Sequence, residues 1–314
     1  MLYSALRRYL QAIGLVKPVM IALLSANAVN LAGNWILVYG HLGMPALGVV
    51  GSGWATTLAR TYLASFLMVV LIVHAHRRET GLFRAPLGIE AARLRRLLAL
   101  GVPASVQLTL EVAVIAAVTM LAARFKPASL AAHQIVLNIA SLTFMVPLGV
   151  AAAGSVRVGH AIGRRNPQEA IHAGWAALAI GAGFMACSGL TMVLGSRPIM
   201  LLFTSEREVI SIGLSLLVVA AVFQVFDGLQ VVATGVLRGT GETRTPMVLN
   251  TAAHWCLGLP VGYTLGFTFG WGVVGLWTGL LVGLIAAGLI LLRVWILKTQ
   301  SLEGYGSAPP MPER

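Results

Sequence analysis

Residues 272–296 read GVVGLWTGLLVGLIAAGLILLRVWI, an apolar stretch whose single charged residue, Arg293, lies close to its end. Because about 20 such residues cross the hydrocarbon core of a bilayer as an α-helix, this stretch predicts a transmembrane helix. The whole chain has the same character, since 58% of its 314 residues are hydrophobic and 10% are charged. Soluble domains carry about 25% charged residues. The composition therefore predicts an all-α, polytopic membrane protein.

Further apolar stretches are long enough to cross a bilayer, and eight transmembrane helices are predicted in all. The other seven run over residues 18–39, 51–73, 97–122, 129–153, 170–195, 209–234 and 246–269. The first of them is too long for the hydrophobic region of a cleavable signal peptide. We therefore expect it to remain in the protein as a helix.

The basic residues are distributed unevenly between the two sides of the predicted spans. With the N-terminus on the cytoplasmic side, only four of the 22 Lys and Arg residues fall in outer segments, and Arg60 lies within a span. Those four are Arg124, Lys126, Arg197 and Arg207. The positive-inside rule explains such a bias. The distribution of the basic residues thus predicts cytoplasmic termini and a lipid bilayer as partner. The net charge of +12 does not indicate nucleic-acid binding.

One sequence pattern occurs at both ends of the chain. KPVM at residues 17–20 opens the first predicted span, and GVVG at 48–51 precedes the next. TPM at 245–247 and GVVG at 272–275 stand in the same order around the last two spans. Repeated halves are typical of secondary transporters. The repeat predicts a six-helix unit, preceded by the last two helices of another such unit.

Six short sequence blocks follow one another between residues 101 and 279. They are GVP at 101–103 with Gln107 and Glu111; AAHQ at 131–134 with Asn138 and PLG at 147–149; SVRVG at 155–159; Phe223-Gln224 with Asp227; LRGTG at 237–241 with Pro246; and GLW at 275–277 with Gly279. In this order the blocks resemble the multidrug and toxic compound extrusion (MATE) transporters. The similarity extends over residues 5–298.

The resemblance implies a fold of two six-helix lobes, of which the first four helices would be absent here. We expect a two-helix N-lobe part over residues 1–74, a basic cytoplasmic linker over 75–96, a six-helix C-lobe over 97–298 and a disordered cytoplasmic tail over 299–314. The resemblance also implies a place in the bacterial inner membrane. It implies export of drugs or organic cations in exchange for sodium ions or protons, with no other cofactor.

Two carboxylates lie deep inside apolar spans: Glu111, and Asp227, which is the only aspartate of the chain. A charged residue at the bilayer centre costs about 2.5–3.5 kcal/mol and usually marks an ion or proton pathway. Glu111 follows the GVP block and Asp227 completes a Gln-x-x-Asp pattern, so the resemblance places the family's second-lobe cation site at these two residues. Carboxylate oxygens suit a hard cation. We expect Glu111 and Asp227 to lie close together and to bind a sodium ion or a proton.

Polar side chains share the helix faces of these two acids, because residues three, four and seven apart lie on one face. Other polar residues inside the spans are weaker candidates, for which hydrogen bonds between helices are the alternative role. The candidates for lining a cavity are Gln107, Gln224, Gln230, Asn138, Asn27, Asn30 and Asn34. His133 is expected to bond between helices, and His254 to be a satisfied core residue.

Signatures of common enzyme classes are missing from the sequence. It contains no GxxxxGK[ST] phosphate loop, which an ATP-driven pump would need, and no HExxH or CxxC cluster. The resemblance therefore implies a cation-coupled antiporter that works by alternating access, and we do not expect an enzyme. One alternative is a truncated, transport-incompetent remnant of such a transporter. Another is a related flippase for lipid-linked substrates, which would be expected to carry more intramembrane cations than Arg60.

Overall fold

The structure, a computed structural model, describes residues 2–77 and 90–306, with side chains described as far as Glu303. Within these ranges the chain is almost wholly helical and contains no β-strand. It divides into two units, and the boundary along the chain lies between Ile89 and Glu90, inside the predicted linker of residues 75–96. Residues 78–89 of that linker lie outside the described part of the chain.

The first unit consists of three helices. They are α1 (Leu2–Ala12), α2 (Val16–Leu37) and α3 (Gly48–Arg77). Helix α1 is amphipathic, and it buries Leu6 and Leu10 in a cluster with Val19 of α2 and Leu67 of α3. Helices α2 and α3 are the first two predicted spans, and they pack against each other.

The second unit is built around one central helix, α8. Its helices are α4 (Ala91–Ala122), α5 (Pro127–Gly163), α6 (Pro167–Leu194), α7 (Ser196–Phe203), α8 (Arg207–Gly239), α9 (Arg244–Thr251), α10 (Leu259–Tyr263) and α11 (Gly272–Gly306). Helix α8 packs against α5, α6 and α11. Two apolar clusters form along it, one including Leu216 and Ala220 and the other including Val232 and Val236. Three polar residues of α8, Gln224, Asp227 and Gln230, lie in sequence between these two clusters.

The predicted span at 246–269 is helical, but it is not one regular α-helix. Residues 244–268 form an unbroken run of α9, a π-helical segment (Ala252–Gly258), α10 and a second π-helical segment (Thr264–Thr268). Seven other helices of the described residues are, by length and composition, able to cross a membrane. The eighth predicted span therefore corresponds to this run of mixed helical type.

The glycines of the internal repeat have the same backbone conformation in both copies. Gly48 begins α3 with φ of 54°, and Gly272 begins α11 with φ of 59°. This left-handed conformation costs glycine little because it has no Cβ atom. GVVG therefore forms the first turn of a helix at both places.

Several helices extend beyond the predicted spans. Helix α5 has 37 residues and continues through SVRVG to Gly163, whereas the predicted span ends at 153. Hydropathy detects only the hydrocarbon core, about 30 Å thick, and helices continue into the polar headgroup regions. Helix α11 likewise includes residues 299–306, where the sequence predicts a disordered tail. The rest of that predicted tail, 307–314, lies outside the described residues.

Candidate ion site between α4 and α8

Two glutamines from different helices hold the carboxylate of Glu111. Gln107, one turn earlier on α4, donates its side-chain N–H to Oε1 of Glu111 at 2.9 Å. Gln230 of α8 donates to the same oxygen at 3.0 Å. Both glutamines are buried. Hydrogen bonds to an ionised acceptor are about twice as strong as neutral ones, so this pair stabilises a charged Glu111 and joins α4 to α8.

Asp227 lies one turn before Gln230 on α8 and is partly buried. Because Gln230 bonds to Glu111, the part of α8 that carries Asp227 adjoins the Glu111 carboxylate. Repulsion between like charges grows as the effective dielectric constant falls. A cation or proton that enters between the two carboxyl groups would relieve this repulsion.

A cavity adjoins Glu111, and it is too narrow to admit a water molecule. One wall consists of Gln107 and Glu111 from α4. The opposite wall consists of Asn250, Thr251, His254 and Trp255, from the end of α9 and the first π-helical segment. Sequence reasoning did not connect this second wall with Glu111. The spacing of Asn250, Thr251 and His254 could have indicated this wall, because it places three polar residues on one face of an apolar span.

Three of the side chains that line the cavity donate hydrogen bonds to other groups. Asn250 donates its amide N–H to Oγ1 of Thr234 at 3.2 Å, and Trp255 donates its indole N–H to the carbonyl of Leu110 at 3.2 Å. His254 donates from Nδ1 to the carbonyl of Asn250 at 2.8 Å, because a carbonyl can only accept. His254 is therefore a buried, hydrogen-bonded residue, in line with the sequence expectation, although it also lines the cavity.

The chemistry of the site is that of oxygen ligands. Among residues 2–77 and 90–306, no group of three or more His, Cys, Asp or Glu side chains could hold a metal ion. Zinc and other transition metals favour the nitrogen ligands of His and the sulfur ligands of Cys. Carboxylate, amide and hydroxyl oxygens instead suit a hard cation such as sodium.

The remaining cavity candidates lie elsewhere in the structure. Gln224 is buried and donates to Oγ1 of Thr143 on α5 and to Sδ of Met192 on α6, so it bonds between helices. Asn138 is exposed on α5. In the first unit, Asn27 is exposed on α2, and Asn34 donates to Oδ1 of Asn30 at 3.1 Å. Of the candidates, Gln107, Gln230 and Glu111 are joined by hydrogen bonds, and Asp227 lies one turn before Gln230 on α8.

His133 joins three helices, as the sequence predicts for an interhelical partner. Its Nδ1 accepts the indole N–H of Trp277, on α11, at 3.0 Å. An indole can only donate, so the ring proton of a neutral His133 lies on Nε2, which bonds Oγ1 of Thr119, on α4, at 2.9 Å. The two bonds fix the ring between α4 and α11 and give it a structural role.

Comparison with known proteins identifies the family. The MatE family model matches residues 103–264, which include Glu111, Asp227 and Asn250. The chain is 39% identical to the probable multidrug resistance protein NorM of Mesorhizobium japonicum, over 98% of this chain and 66% of that protein. It is 38% identical to the multidrug resistance protein NorM of Burkholderia vietnamiensis, over 95% of this chain and 65% of the relative. The chain thus spans about two thirds of the length of these curated relatives.

Solved structures show the same fold. A crystal structure of MATE in the bent conformation matches 98% of this chain and 67% of its own, with a TM-score of 0.85 and 21% identity. The eukaryotic MATE transporter AtDTX14 matches 96% of this chain and 68% of its own, with a TM-score of 0.78 and 23% identity. Together with the apolar helices, the family match shows that this chain is a multi-pass membrane protein that belongs to the MatE family.

Proposed function

We propose that the chain acts as a cation-coupled antiporter, which exports drugs or other toxic organic compounds across the bacterial inner membrane. Glu111 and Asp227 bind the coupling ion, a sodium ion or a proton, as a transported substrate. The observation that carries this proposal is the hydrogen bonding of Gln107 and Gln230, from two helices, to one oxygen of Glu111, with Asp227 one turn before Gln230 on α8. The names of the NorM relatives and the MATE fold support the multidrug substrate class.

The arrangement provides a way to couple an ion to a conformational change. Glu111 connects α4 to α8 through Gln230, so a change in the charge of the site alters the contact between these two helices. An ion drives transport only if its affinity, or that of the drug, differs between two states of the protein. An ion that binds there removes the repulsion between the two carboxylates. Its affinity therefore differs between states of the protein in which the contact between α4 and α8 differs.

The proposed orientation places both chain termini in the cytoplasm. The basic residues at the ends of α5, α8 and α11 support it, because Arg164, Arg238 and Lys298 lie on the side that the positive-inside rule assigns to the cytoplasm. Drug export then runs from the side of these residues to the side of Lys126 and Arg207.

Ethidium transport in proteoliposomes tests the proposal. The purified chain is reconstituted, a sodium or pH gradient is imposed, and ethidium movement is followed by fluorescence. We expect gradient-dependent transport, with a loss of at least about tenfold in Glu111→Gln and in Asp227→Asn; tenfold corresponds to about 1.4 kcal/mol. Glu208→Gln is the matched control, because Glu208 is an exposed acid that pairs with Lys126 at 3.3 Å.

Two results would contradict the proposal. Wild-type rates in both acid variants would remove Glu111 and Asp227 from the coupling mechanism. Folded wild-type protein that moves no ethidium under either gradient would reject autonomous antiport and favour the transport-incompetent alternative.

A further inference from the structure

Three oxygens around the cavity beside Glu111 are buried and have no hydrogen-bond partner. They are Oε1 of Gln107, Oδ1 of Asn250 and Oγ1 of Thr251. Asn250 is wholly buried, and the side chain of Gln107 is 3% exposed. Buried polar groups are nearly always paired, so three unpaired oxygens at one cavity need an explanation.

The bond to the carboxylate of Glu111 determines the orientation of the Gln107 amide. Gln107 directs its nitrogen to the Glu111 carboxylate, and Asn250 directs its nitrogen to Thr234. A reversed amide of Gln107 would place its oxygen against the oxygen of Glu111, which is repulsive. In the structure, the oxygens of both amides are the free ends.

Protein donors do not satisfy these oxygens. The N–H groups of Trp255 and His254 that are described above bond to backbone carbonyls, and those of the glutamines bond to Glu111. The cavity is also too narrow for a water molecule. A cation without its hydration shell is smaller than water and interacts favourably with several oxygens at once.

We propose that Asn250 and Thr251 are ligands of the cation that Glu111 binds, with Oε1 of Gln107 as a further oxygen. These three neutral oxygens join the carboxylates of Glu111 and Asp227 without adding charge, and a set of carboxylate, amide and hydroxyl oxygens suits a hard cation such as sodium. The inference rests on the proposed function, because it adds two specificity-determining residues to the same ion site. Asn250 and Thr251, at the end of α9, then select the ion.

The position of these ligands gives them a further consequence. Thr251 is the last residue of α9, and the π-helical segment begins at Ala252. Single π-helical turns occur frequently at functional sites. An ion held by Glu111, Asn250 and Thr251 therefore joins α4 to the start of this segment, and its release loosens that connection.

Binding of radioactive sodium to the purified full chain in detergent tests the inference without any transport. Thr251→Val removes the hydroxyl and keeps the shape, and we expect it to weaken sodium affinity at least about tenfold, or about 1.4 kcal/mol. Thr251→Ser retains the hydroxyl and should bind within about threefold of wild type, which is about 0.7 kcal/mol. Thr264→Val is the matched control on the same helical run, because that hydroxyl bonds to the carbonyls of Pro260 and Val261.

Thermal melting without sodium provides the second measurement. The hydroxyl of Thr251 has no partner, so Thr251→Val should melt at or above the temperature of wild type, while its sodium-induced increase in melting temperature should be lost. A variant that melts lower without sodium would point to a structural role and overturn the inference. Should Thr251→Val fail to fold, Thr251→Ala removes the same oxygen and carries the same expectation.

The outcomes separate this inference from the proposed function. Wild-type sodium affinity in Thr251→Val, with binding abolished in Glu111→Gln, would overturn the role of the α9 wall and leave the coupling acids intact. Absence of sodium binding in wild type, with proton-driven and Glu111-dependent ethidium transport preserved, would do the same. Loss of both sodium binding and gradient-driven transport in wild type would overturn both proposals.

Discussion

At the scale of single residues, the carboxylate of Glu111 is the most informative group in the chain. It lies in an apolar helix, and two buried amides stabilise it. Hydrogen bonds to charged groups contribute about 1.5–3 kcal/mol in proteins. Measured interhelical bonds in membranes average about 0.6 kcal/mol, because the unfolded chain also finds partners. The smaller value applies here, since α4 and α8 both cross the membrane.

The bond between Gln230 and Glu111 can be measured with a double-mutant cycle in the free energy of unfolding. Gln230→Leu should destabilise the wild type by about 0.5–1.7 kcal/mol, up to the largest value measured for interhelical bonds in a membrane. The same change in a Glu111→Leu background should have a smaller effect, because the acceptor is gone. Gln134→Leu is the control, since Gln134 is exposed on α5. Equal effects of Gln230→Leu in both backgrounds would show that this bond contributes nothing.

The neutral histidine at the junction of α4, α5 and α11 gives a second prediction. Trp277→Phe keeps an aromatic ring against Phe223 but removes the donor to Nδ1 of His133. A buried acceptor left unpaired costs about 1–3 kcal/mol, so the variant should unfold more easily by that amount. His133→Phe combined with Trp277→Phe should recover part of the loss in equilibrium unfolding. A single variant as stable as wild type would rule out this bond as a stabilising contact.

At the scale of elements, glycine contacts determine how closely α11 approaches the helical run of residues 244–268. A Cβ atom on Gly279 would lie 2.1 Å from the backbone nitrogen of Gly262. One on Gly283 would lie 3.0 Å from Cα of Gly258. Small residues of this kind let helix backbones pack closely in membranes. The mixed α- and π-helical run therefore packs backbone to backbone against α11.

This packing predicts a strong effect of adding one methyl group. Gly279→Ala forces the backbones apart and should destabilise the second unit by at least about 1–3 kcal/mol, the usual cost of overpacking. Gly183→Ala on α6 is the matched control, because nothing lies within 4 Å of its Cβ position. Alanine is the better helix former by about 0.5–1 kcal/mol, so the control should be neutral or stabilising. Similar melting temperatures for the two variants would disprove the close contact.

At the scale of the whole molecule, the described helices and the charge bias define a topology that can be tested. Helix α6 has 28 residues, which span about 42 Å at 1.5 Å per residue, so the segments at its two ends lie on opposite sides of a bilayer. The end that begins at Pro167 follows Arg164 and Arg165, and it is the end assigned to the cytoplasm.

Labelling with a membrane-impermeant maleimide tests this topology. Cys187 and Cys256 are free thiols, and both are first changed to serine. Single cysteines then replace the exposed residues Gln168, before the membrane part of α6, and Ser205, between α7 and α8. Intact cells should label Ser205→Cys at once and Gln168→Cys only after permeabilisation. The reverse pattern would invert the proposed orientation.

Much of this protein follows from the sequence alone, because hydrophobicity and the cost of a buried charge are properties of local composition. The apolar stretches predict the positions of the spans, and the charge cost directs attention to Glu111 and Asp227. The GVVG repeat marks two helix starts, since Gly48 and Gly272 adopt the same left-handed conformation.

Which side chains contact one another depends on the tertiary packing of the helices. Gln224 and Gln230 each lie three residues from Asp227 on α8, so the helical period groups them with it. Gln224 nevertheless bonds to α5 and α6, whereas Gln230 bonds to Glu111, which is 119 residues distant in sequence. Asn250 and Thr251 reach the same cavity from a helical run that changes from α to π type at Ala252. The physical reason is that the period of a helix defines its faces, whereas its rotation and height depend on contacts with its neighbours, such as those of Gly279 with Gly262.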